Sequence, residues 1–378
     1  MTHGVPPPPP TNSAFAVHAR RGDRIAEDMD ATAAAAALSP WTLRSIDSVA
    51  QSAWQDFLSN KVELAAQRAA AWLHVLPALI ASGRRDADAL ATLGDLHHIA
   101  GAARRDPALL ESALGAYDAV LALRTGVDGL NALRMRAETL LRLRRYADAF
   151  DAFDRLHELR LRDPKRGRDL EIAPFRLVHD AEAIEANGRT DEGWPEAALA
   201  WRQLAAELVG GGGDGGSGAD QLKRTAVRDL SAAQRSLLGP AYGQPLPLPA
   251  ASASPPPPAE RALRERPAAD WAALEAEYAS SRAIVLDGVL GDEALRELQL
   301  WSRHGAHFDT MRAGYLGAFP GDGTTHPLLL KLADELASAL PAAVGPHALG
   351  LWWLFKHVGG HSHGEGVLML WIWTHGLD

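Results

Sequence analysis

The stretch LRMRAETLLRLRRYADAFDAFDRLHELRLRDP, residues 133–164, contains two consecutive helical patterns. In the second pattern Ala149, Phe153 and Leu156 recur at spacings of four and three residues, which places them on one face of a helix. A small residue on that face lets a neighbouring helix approach closely, and the aromatic ring fills the space toward the next pair. The stretch therefore predicts a helical hairpin that shares its core with neighbouring hairpins.

The same order of small, aromatic and aliphatic side chains occurs three times in the chain. The three sets are Ala113, Tyr117 and Val120, then Ala149, Phe153 and Leu156, and then Ala197, Trp201 and Leu204. The first two sets are 36 residues apart (149 minus 113), and the third follows after 48 (197 minus 149). With Ala137 in the first helix and Asp163-Pro164 ending the second, the hairpin resembles a tetratricopeptide repeat, whose period is about 34 residues. The resemblance implies an α-solenoid; an ordinary helical bundle also satisfies the pattern.

Composition divides the chain into four segments. Residues 1–40 contain VPPPPP and DATAAAAALSP, which predict a disordered leader rich in proline and alanine. Residues 41–209 show helical periodicity almost throughout, and this segment is the predicted tetratricopeptide-like domain. Residues 210–260 contain GGGGDGGSG and a proline-rich run on either side of a short helical pattern, as expected for a linker. Residues 261–378 form the last predicted domain.

Net charge and cysteine content argue against a nucleic acid partner and exclude a metal site built from cysteines. The 47 acidic residues outnumber the 38 basic ones, so the net charge of −9 gives no reason to expect a nucleic acid partner. The chain has no cysteine, so a metal site would have to use imidazole and carboxylate ligands.

Hydropathy and the N-terminal sequence predict the location of the protein. No apolar run approaches the roughly 20 residues needed to span a bilayer, so we expect no membrane association. We expect a cytoplasmic protein, with a nuclear location as the alternative. AFAVHARRGDR favours organelle targeting, and the acidic AEDMD directly after it argues against that reading.

Residues 261–378 combine strand and helix patterns. IVLDGVL predicts a short strand, and GDEALRELQLWSR predicts a helix with Leu295, Leu298 and Trp301 facing the core. HPLLLKLADELASALP predicts a second helix with Pro327 in its first turn. ALGLWWLFKHV alternates with period two, and GVLMLWIWT is apolar on both faces, as in a strand that is covered on both sides. These patterns predict an α+β fold.

This order of elements resembles the prolyl-hydroxylase-like group of iron(II)- and 2-oxoglutarate-dependent oxygenases, some of which follow tetratricopeptide repeats. The resemblance covers about Ser280 to Asp378. It implies a jelly-roll (double-stranded β-helix) barrel, dioxygenase activity as an oxidoreductase, and Fe(II) and 2-oxoglutarate as cofactors. In that family the iron ligands are a histidine and a carboxylate two residues apart and a distal histidine, and a basic residue further on binds 2-oxoglutarate.

The stretch KHVGGHSHGEG contains residues that match the first part of this ligand set. His363 and Glu365 are two residues apart, share one face of an extended segment and are the predicted iron ligands; His361 and His375 are further candidates. Glutamate stands where the family has aspartate, and the sequence ends thirteen residues after Glu365 (378 minus 365). We therefore expect a truncated domain with an incomplete metal site that is inactive as given.

Two other interpretations of the same stretch stay open. One is an active oxygenase whose ligand set is completed by His361, His375 or a partner chain. The other is a solvated turn that binds no metal, since GGHSHGEG has the composition of such a turn. The apolar strand GVLMLWIWT also predicts self-association, because Trp371 and Trp373 would lack cover at an unpaired edge.

Five arginines lie close together in the predicted hairpin. They are Arg134, Arg136, Arg142, Arg144 and Arg145. On the concave surface of stacked hairpins, this charge favours binding of a protein or peptide partner with an acidic end. The alternative is a solvated face balanced by Asp148, Asp151 and Asp154. His97 and His98 point in different directions on a helix, which indicates a surface or partly buried structural role.

Overall fold

The computed structural model describes the chain with gaps. The described residues are 43–81, 86–163, 171–186, 193–210, 224–240, 242, 259–281, 283–304, 310–312, 315–347, 349–350 and 352–357. These ranges are mostly helical with short antiparallel strands, which confirms the predicted helical N-terminal region. Contacts divide the chain into two compact units, Met1–Ala152 and Phe153–Asp378. None of the helices in the described ranges has both the length and the apolar character that a membrane crossing requires.

The first unit consists of consecutive helices in its described part. Their bounds are α1 Leu43–Leu58, α2 Val62–Ala81, α3 Ala87–Arg104, α4 Pro107–Leu123 and α5 Leu130–Arg142, and α6 Tyr146–Leu161 begins in this unit. Asp86 and Asp106 cap α3 and α4, since their carboxylates accept hydrogen bonds from the N–H groups of Ala89 at 2.7 Å and Ala108 at 2.9 Å. Neighbouring helices from α1 to α5 pack in pairs, and α1, α3 and α5 also contact one another in series.

The predicted core faces of the helices are largely confirmed. Ala113, Tyr117 and Val120 are buried in one apolar cluster with residues of α5, and the set on α6 is buried as well. In the third set Trp201 and Leu204 are buried, but the fully buried small residue is Ala198. Its predicted counterpart Ala197 is only half-buried. Adjacent helical positions differ in direction by about 100°, so the small buried residue lies about a quarter turn around the helix from the predicted one.

The second unit contains a helical pair that the next segment of chain covers. Its elements are β1 Glu171–Ile172, α7 Pro174–Ala186, α8 Trp194–Gly210, β2 Thr225–Ala226 and α9 Ala232–Leu238. β1 pairs antiparallel with β2, and the indole N–H of Trp201 donates to the carbonyl of Leu238 at 2.8 Å. Residues 224–240 of the predicted linker are therefore packed on α7 and α8. Of the rest of that linker, residues 211–223, 241 and 243–258 lie outside the described residues.

The C-terminal elements include a small antiparallel sheet. They are α10 Ala268–Ser281, α11 Asp292–His304, β3 Thr310–Arg312, β4 Tyr315–Ala318, α12 Pro327–Ala339 and β5 Leu354–His357. The strand order is β3-β4-β5, and Leu316 lies opposite Met311 on one side and Lys356 on the other. Both helices predicted from the sequence, α11 and α12, are confirmed. The jelly-roll barrel stays a prediction.

Two expectations for this region need correction. IVLDGVL forms no regular strand; its last residue, Leu290, makes an isolated antiparallel bridge with Leu263. Leu295 was expected to face the core but is 41% exposed, whereas Leu298 is buried. Val285, within IVLDGVL, is 90% exposed, so the described residues do not cover this apolar run as they would cover a core strand. Apolar spacing indicates which residues share a face, but the packing of neighbours decides which face is covered.

Carboxylates hold the start of the C-terminal region in place. Glu335 of α12 accepts hydrogen bonds from the backbone N–H groups of Ala262 at 3.0 Å and Leu263 at 2.8 Å. Glu297 of α11 accepts one from Ala259 at 2.9 Å. Because each of these bonds joins a charged acceptor to a backbone donor, the chain is firmly attached from Ala259 onward.

The second half of α6 packs against the C-terminal region inside the second unit. The rings of Phe153 and Trp352 meet edge to face with centroids 5.9 Å apart. The indole N–H of Trp352 donates to the carbonyl of Thr324 at 2.8 Å. Arg160 donates to the carbonyl of Gly321 at 2.8 Å and pairs with Asp322 at 3.1 Å. We call this set of contacts the α6 junction.

Candidate binding site

The predicted iron ligands lie outside the described residues. β5 ends at His357, and His361, His363, Glu365 and His375 all follow it in the undescribed part of the chain. Within the described ranges, no group of three or more histidine, aspartate or glutamate side chains is arranged to hold a metal ion. The Fe(II) and 2-oxoglutarate implied by the family resemblance therefore stay predictions.

A cluster of polar and aromatic side chains is present where α1, α3 and α5 contact one another. Its members are Trp54 and Phe57 of α1, Asp95 and His98 of α3, and Arg134, Glu138, Thr139 and Arg142 of α5. Spacings of three and four residues put Trp54 with Phe57, Asp95 with His98, and Arg134 with Glu138 and Arg142 on shared helical faces, and Thr139 precedes Arg142 by three residues. We call this set the α1–α3–α5 cluster.

His98 is the buried centre of the cluster and is only 1% exposed. Its Nδ1 lies 2.7 Å from the hydroxyl oxygen of Thr139, which itself donates to the carbonyl of Met135 at 2.7 Å. Since the hydroxyl proton is used in that bond, Nδ1 of His98 must carry the proton that it shares with Thr139. Nε2 then accepts a hydrogen bond from Nε of Arg142 at 3.2 Å. These partners define a neutral imidazole.

Burial keeps His98 neutral, because it holds the pKa of this side chain well below its ordinary value, and the charges of Arg142 and Arg134 act in the same direction. The neighbouring His97 is half-buried, and burial lowers its pKa as well. A structural role was expected for both histidines. In the structure His98 is more buried than expected, and its Nε2 accepts a hydrogen bond from Arg142.

Arg142 is a half-buried cation with no carboxylate within ion-pair distance among the described residues, although the charge of Glu138, four residues earlier on α5, acts on it. Its guanidinium carbon lies 5.6 Å from the centre of the Phe57 ring, and its Nε donates to His98. Burial lowers the pKa of Arg142, and the charge of Glu138 offsets this effect in part. Its two terminal nitrogens make no hydrogen bond to any described residue, so they are available to an acceptor from outside.

Other arginines of the predicted positive surface are paired. Arg134 contacts Glu138 at 2.6 Å, and Arg136 contacts Asp118 at 2.7 Å. Arg145 lies 2.8 Å from Asp148, and both side chains are nearly half exposed. The solvated-face interpretation fits these pairs, but it does not fit Arg142.

Asp154 was expected to balance the arginines. In the described structure it accepts a hydrogen bond from the hydroxyl of Thr325 within the second unit, and its role beside the arginines stays a prediction.

Asp95 is the acidic member of the cluster on α3. Its carboxylate accepts a hydrogen bond from the hydroxyl of Tyr117 at 2.7 Å and another from the side chain of Trp54. Burial raises the pKa of Asp95 to about 6, and these hydrogen bonds with the charge of Arg134 offset that effect only in part. Asp95 therefore changes charge just below neutral pH.

Comparisons with known proteins identify no relative. No family model, no curated protein and no solved structure matches the chain. The chemistry of the α1–α3–α5 cluster is therefore the basis for assigning a function to the helical region.

Replacing Asp95 by asparagine tests the raised pKa. The folded pKa is about 6 and the ordinary value is 3.8, so the folded state binds more protons between these values. The ionised Asp95 carboxylate therefore lowers the free energy of unfolding progressively as pH rises from 3.8 to about 6, and the whole of this loss is present above that range. We expect Asp95→Asn to raise Tm, relative to the unmodified chain, more at pH 7.5 than at pH 4.5. An equal change at both values would contradict the raised pKa, and Asp118→Asn at an exposed site is the control.

Sequence reasoning found Arg142 but missed most of its neighbours. A spacing of three residues separates Trp54 from Phe57 and Asp95 from His98. This spacing predicts that the two residues of each pair lie on the same helical face. Helix periodicity alone did not show that these faces meet that of α5. Arg142 and His98 are 44 residues apart in sequence, so only packing brings them together.

Proposed function

We propose that the helical region of this chain is a tetratricopeptide-like scaffold that binds an acidic segment of a partner protein at the α1–α3–α5 cluster. The observation that carries the proposal is the half-buried guanidinium of Arg142, which makes no ion pair with a described carboxylate even though the charge of Glu138 acts on it. A poorly solvated cation gains more from an anion than an exposed one does.

The surroundings of Arg142 suit a carboxylate ligand. Nε of Arg142 donates a hydrogen bond to His98, which limits rotation of the guanidinium. The two terminal nitrogens of the guanidinium are then left to donate to a second acceptor. The neutral imidazole adds no competing charge of its own. The half-buried ring of Trp54 supplies apolar surface near the charge for the rest of a bound segment, while the Phe57 ring, 5.6 Å from the guanidinium carbon, is buried in the core. A ligand with carboxylates and an apolar residue matches both properties.

Support for the repeat-like scaffold comes from the packing of the helices. Consecutive helices of the first unit pack in pairs, and α1, α3 and α5 contact one another in series. The residues that match the repeat pattern on α4 and α6 are buried. Arrays of helical hairpins expose one layer of alternate helices as a binding surface, and we infer that α1, α3 and α5 form such a layer here.

Replacing Arg142 by alanine should weaken binding of an acidic peptide. A hydrogen bond to a charged group is worth about 1.5–3 kcal/mol, so we expect a loss of roughly 10- to 150-fold in affinity. The measurement is fluorescence anisotropy with the full chain and a labelled peptide that contains three glutamates. Arg142→Lys should recover only part of the affinity, because it keeps the charge but loses the planar fork.

Arg145→Ala is the matched control, since Arg145 lies three residues after Arg142, in the turn between α5 and α6, and already pairs with Asp148. This control should lose less than about twofold in affinity, as expected for an exposed charge. Equal losses for the two alanine variants would show that only general charge attracts the peptide. A wild-type chain that does not bind the peptide would refute the proposal, provided that its melting curve shows a folded protein.

A second candidate function is the oxygenase-like one, for which His363 and Glu365 would bind iron(II), with His361 and His375 as further candidates. The observation that favours it is the order of α11, the β3-β4-β5 sheet and α12, because β5 leads the chain directly toward the histidine-glutamate stretch. Iron(II) with 2-oxoglutarate would supply oxidative chemistry in that family. The ligands lie outside the described residues, and two ligands fall short of the three that a facial triad requires.

Anaerobic titration of the purified chain with iron(II) tests this second candidate. Specific binding should be lost in both His363→Ala and Glu365→Ala, while His347→Ala, outside the candidate stretch, should bind as the unmodified chain does. Binding that survives both substitutions, or no binding by the unmodified chain, would favour the solvated-turn interpretation.

A further inference from the structure

We propose that His326 is an acid-sensitive latch: its neutral imidazole caps α12 and, together with Glu297, holds residues 259–263 against α11 and α12, and protonation of the ring loosens both attachments. Residues 259–263 follow the predicted linker and begin the C-terminal region. The inference is independent of the proposed function, because every group in it lies in the second unit.

The side chain of His326 is the N-terminal cap of α12. Its Nδ1 accepts a hydrogen bond from the backbone N–H of Leu328 at 3.2 Å, and its carbonyl accepts one from Leu329 at 2.8 Å. A ring nitrogen that accepts a hydrogen bond carries no proton, so Nε2 carries the single proton of a neutral imidazole. A protonated imidazole donates from both nitrogens and cannot accept this bond. Protonation therefore removes the side-chain cap of α12.

Glu297 of α11 links the imidazole to residues 259–263. One of its carboxylate oxygens lies 3.6 Å from Nε2 of His326, and the other accepts a hydrogen bond from the backbone N–H of Ala259 at 2.9 Å. The ring of Trp301, four residues after Glu297, packs on the imidazole with the centroids 5.1 Å apart. When protonation turns the imidazole away from the N–H of Leu328, it also disturbs the carboxylate that binds Ala259.

α12 itself supplies the other attachments of residues 259–263. Lys331 donates to the carbonyl of Ala259 at 2.7 Å, and Glu335 accepts from the backbone N–H groups of Ala262 at 3.0 Å and Leu263 at 2.8 Å. Both side chains lie within the first three turns of the helix that the imidazole caps. Since the first turn of a helix depends on its cap, loss of the cap weakens these attachments as well.

The surroundings of His326 set the direction of the pH effect. Burial lowers its pKa, and the charge of Glu297, which faces the ring from α11, raises it in part. Lys331 and Glu335 of α12 are bound to residues 259–263, and Glu260 in that segment is exposed. Because the folded pKa is below the ordinary value of 6.5, the unfolded chain binds more protons as the pH falls below 6.5. The stability that the neutral ring contributes is therefore present above pH 6.5 and is lost progressively below it.

Amide hydrogen exchange of the full chain tests the latch. The variant His326→Asn keeps a side chain that caps a helix but does not titrate. At pH 7.5 this variant and the unmodified chain should exchange the amides of Ala259, Ala262 and Leu263 at equal rates. At pH 5.0 the unmodified chain should exchange these amides about three- to tenfold faster than the variant, as expected for the loss of a helix cap. Comparing the two proteins at one pH cancels the effect of pH on intrinsic exchange.

Two further variants are controls for this experiment. His326→Ala removes the cap at every pH, so it should exchange the same amides fast at both pH 5.0 and pH 7.5. His347→Asn replaces a histidine that follows α12 and makes no contact with the latch groups in the described structure. It should keep the full pH dependence of the unmodified chain.

A thiol reagent provides a second measurement. The chain contains no cysteine, and Leu263 is buried, so Leu263→Cys introduces one thiol that is protected while the segment is attached. At pH 5.0 a pyridyl disulfide should label Leu263→Cys several-fold faster than Leu263→Cys/His326→Asn, and at pH 7.5 the two rates should be equal.

The outcomes decide the proposal without affecting the proposed function of the helical region. Equal exchange at pH 5.0 by the unmodified chain and His326→Asn would overturn the latch, because the acid effect would then come from other groups. Faster exchange by His326→Asn already at pH 7.5 would also overturn it, because a side-chain cap would then not be enough to hold residues 259–263.

Discussion

Replacing Trp352 by alanine is expected to destabilise the second unit by about 3–5 kcal/mol. This indole is 1% exposed, packs edge to face on Phe153 and donates to Thr324, so truncation opens a cavity and removes a buried hydrogen bond. The chain has two compact units, so a single two-state unfolding free energy is not defined for it. Scanning calorimetry and amide hydrogen exchange on β4, at Leu316 to Ala318, are the appropriate measurements.

Trp352→Phe is the matched control for this prediction. It keeps a large ring next to Phe153 but removes the N–H that donates to the carbonyl and the hydroxyl of Thr324. We expect it to cost less than half as much as the alanine variant, since one lost hydrogen bond is worth about 1–2 kcal/mol. Unchanged exchange at β4 in Trp352→Ala would show that the α6 junction does not stabilise the sheet.

Adding a methyl group at Gly94 and at Gly115 should have effects of opposite sign. A Cβ at Gly94 would lie 2.6 Å from Cε1 of Tyr117, whereas a Cβ at Gly115 would meet nothing within 4 Å. The Tyr117 ring is buried and its hydroxyl is bound to Asp95, so it cannot move away without loss of packing. Gly94→Ala should therefore destabilise the first unit by about 1–3 kcal/mol, the usual cost of overpacking.

Gly115→Ala should instead stabilise the first unit by about 0.5–1 kcal/mol, because alanine lowers the entropy cost of forming helix α4. Both substitutions replace a helical glycine by alanine, so both gain the same helix propensity. The difference between their stability changes therefore measures the contact with Tyr117. The check is the shift of the first-unit transition in calorimetry. A stabilising Gly94→Ala would show that α3 and α4 have room to separate, and that Tyr117 does not hold Asp95 in a fixed position.

The local pattern of the sequence determined the helices and much of their buried faces. Ala113, Tyr117 and Val120 were predicted to share a core face, and the structure buries all three. The starts of α11 and α12 were also predictable, because Asp292 and Pro327 are typical of a first helical turn. These features depend on side chains within a few residues of one another, and helix geometry relates such positions directly.

Only the tertiary structure decided which of these helical faces contact one another and how those contacts bury their polar groups and change their pKa values. Arg142 and Asp95 look like ordinary surface residues in the sequence, but packing of α5 and α3 desolvates both and shifts their pKa values in opposite directions. The α6 junction joins Phe153 to Trp352 across almost 200 residues, a contact that no local pattern encodes. Burial, desolvation and hydrogen-bond partners arise from the sum of contacts between distant segments. The candidate site therefore became recognisable only once the helices were packed.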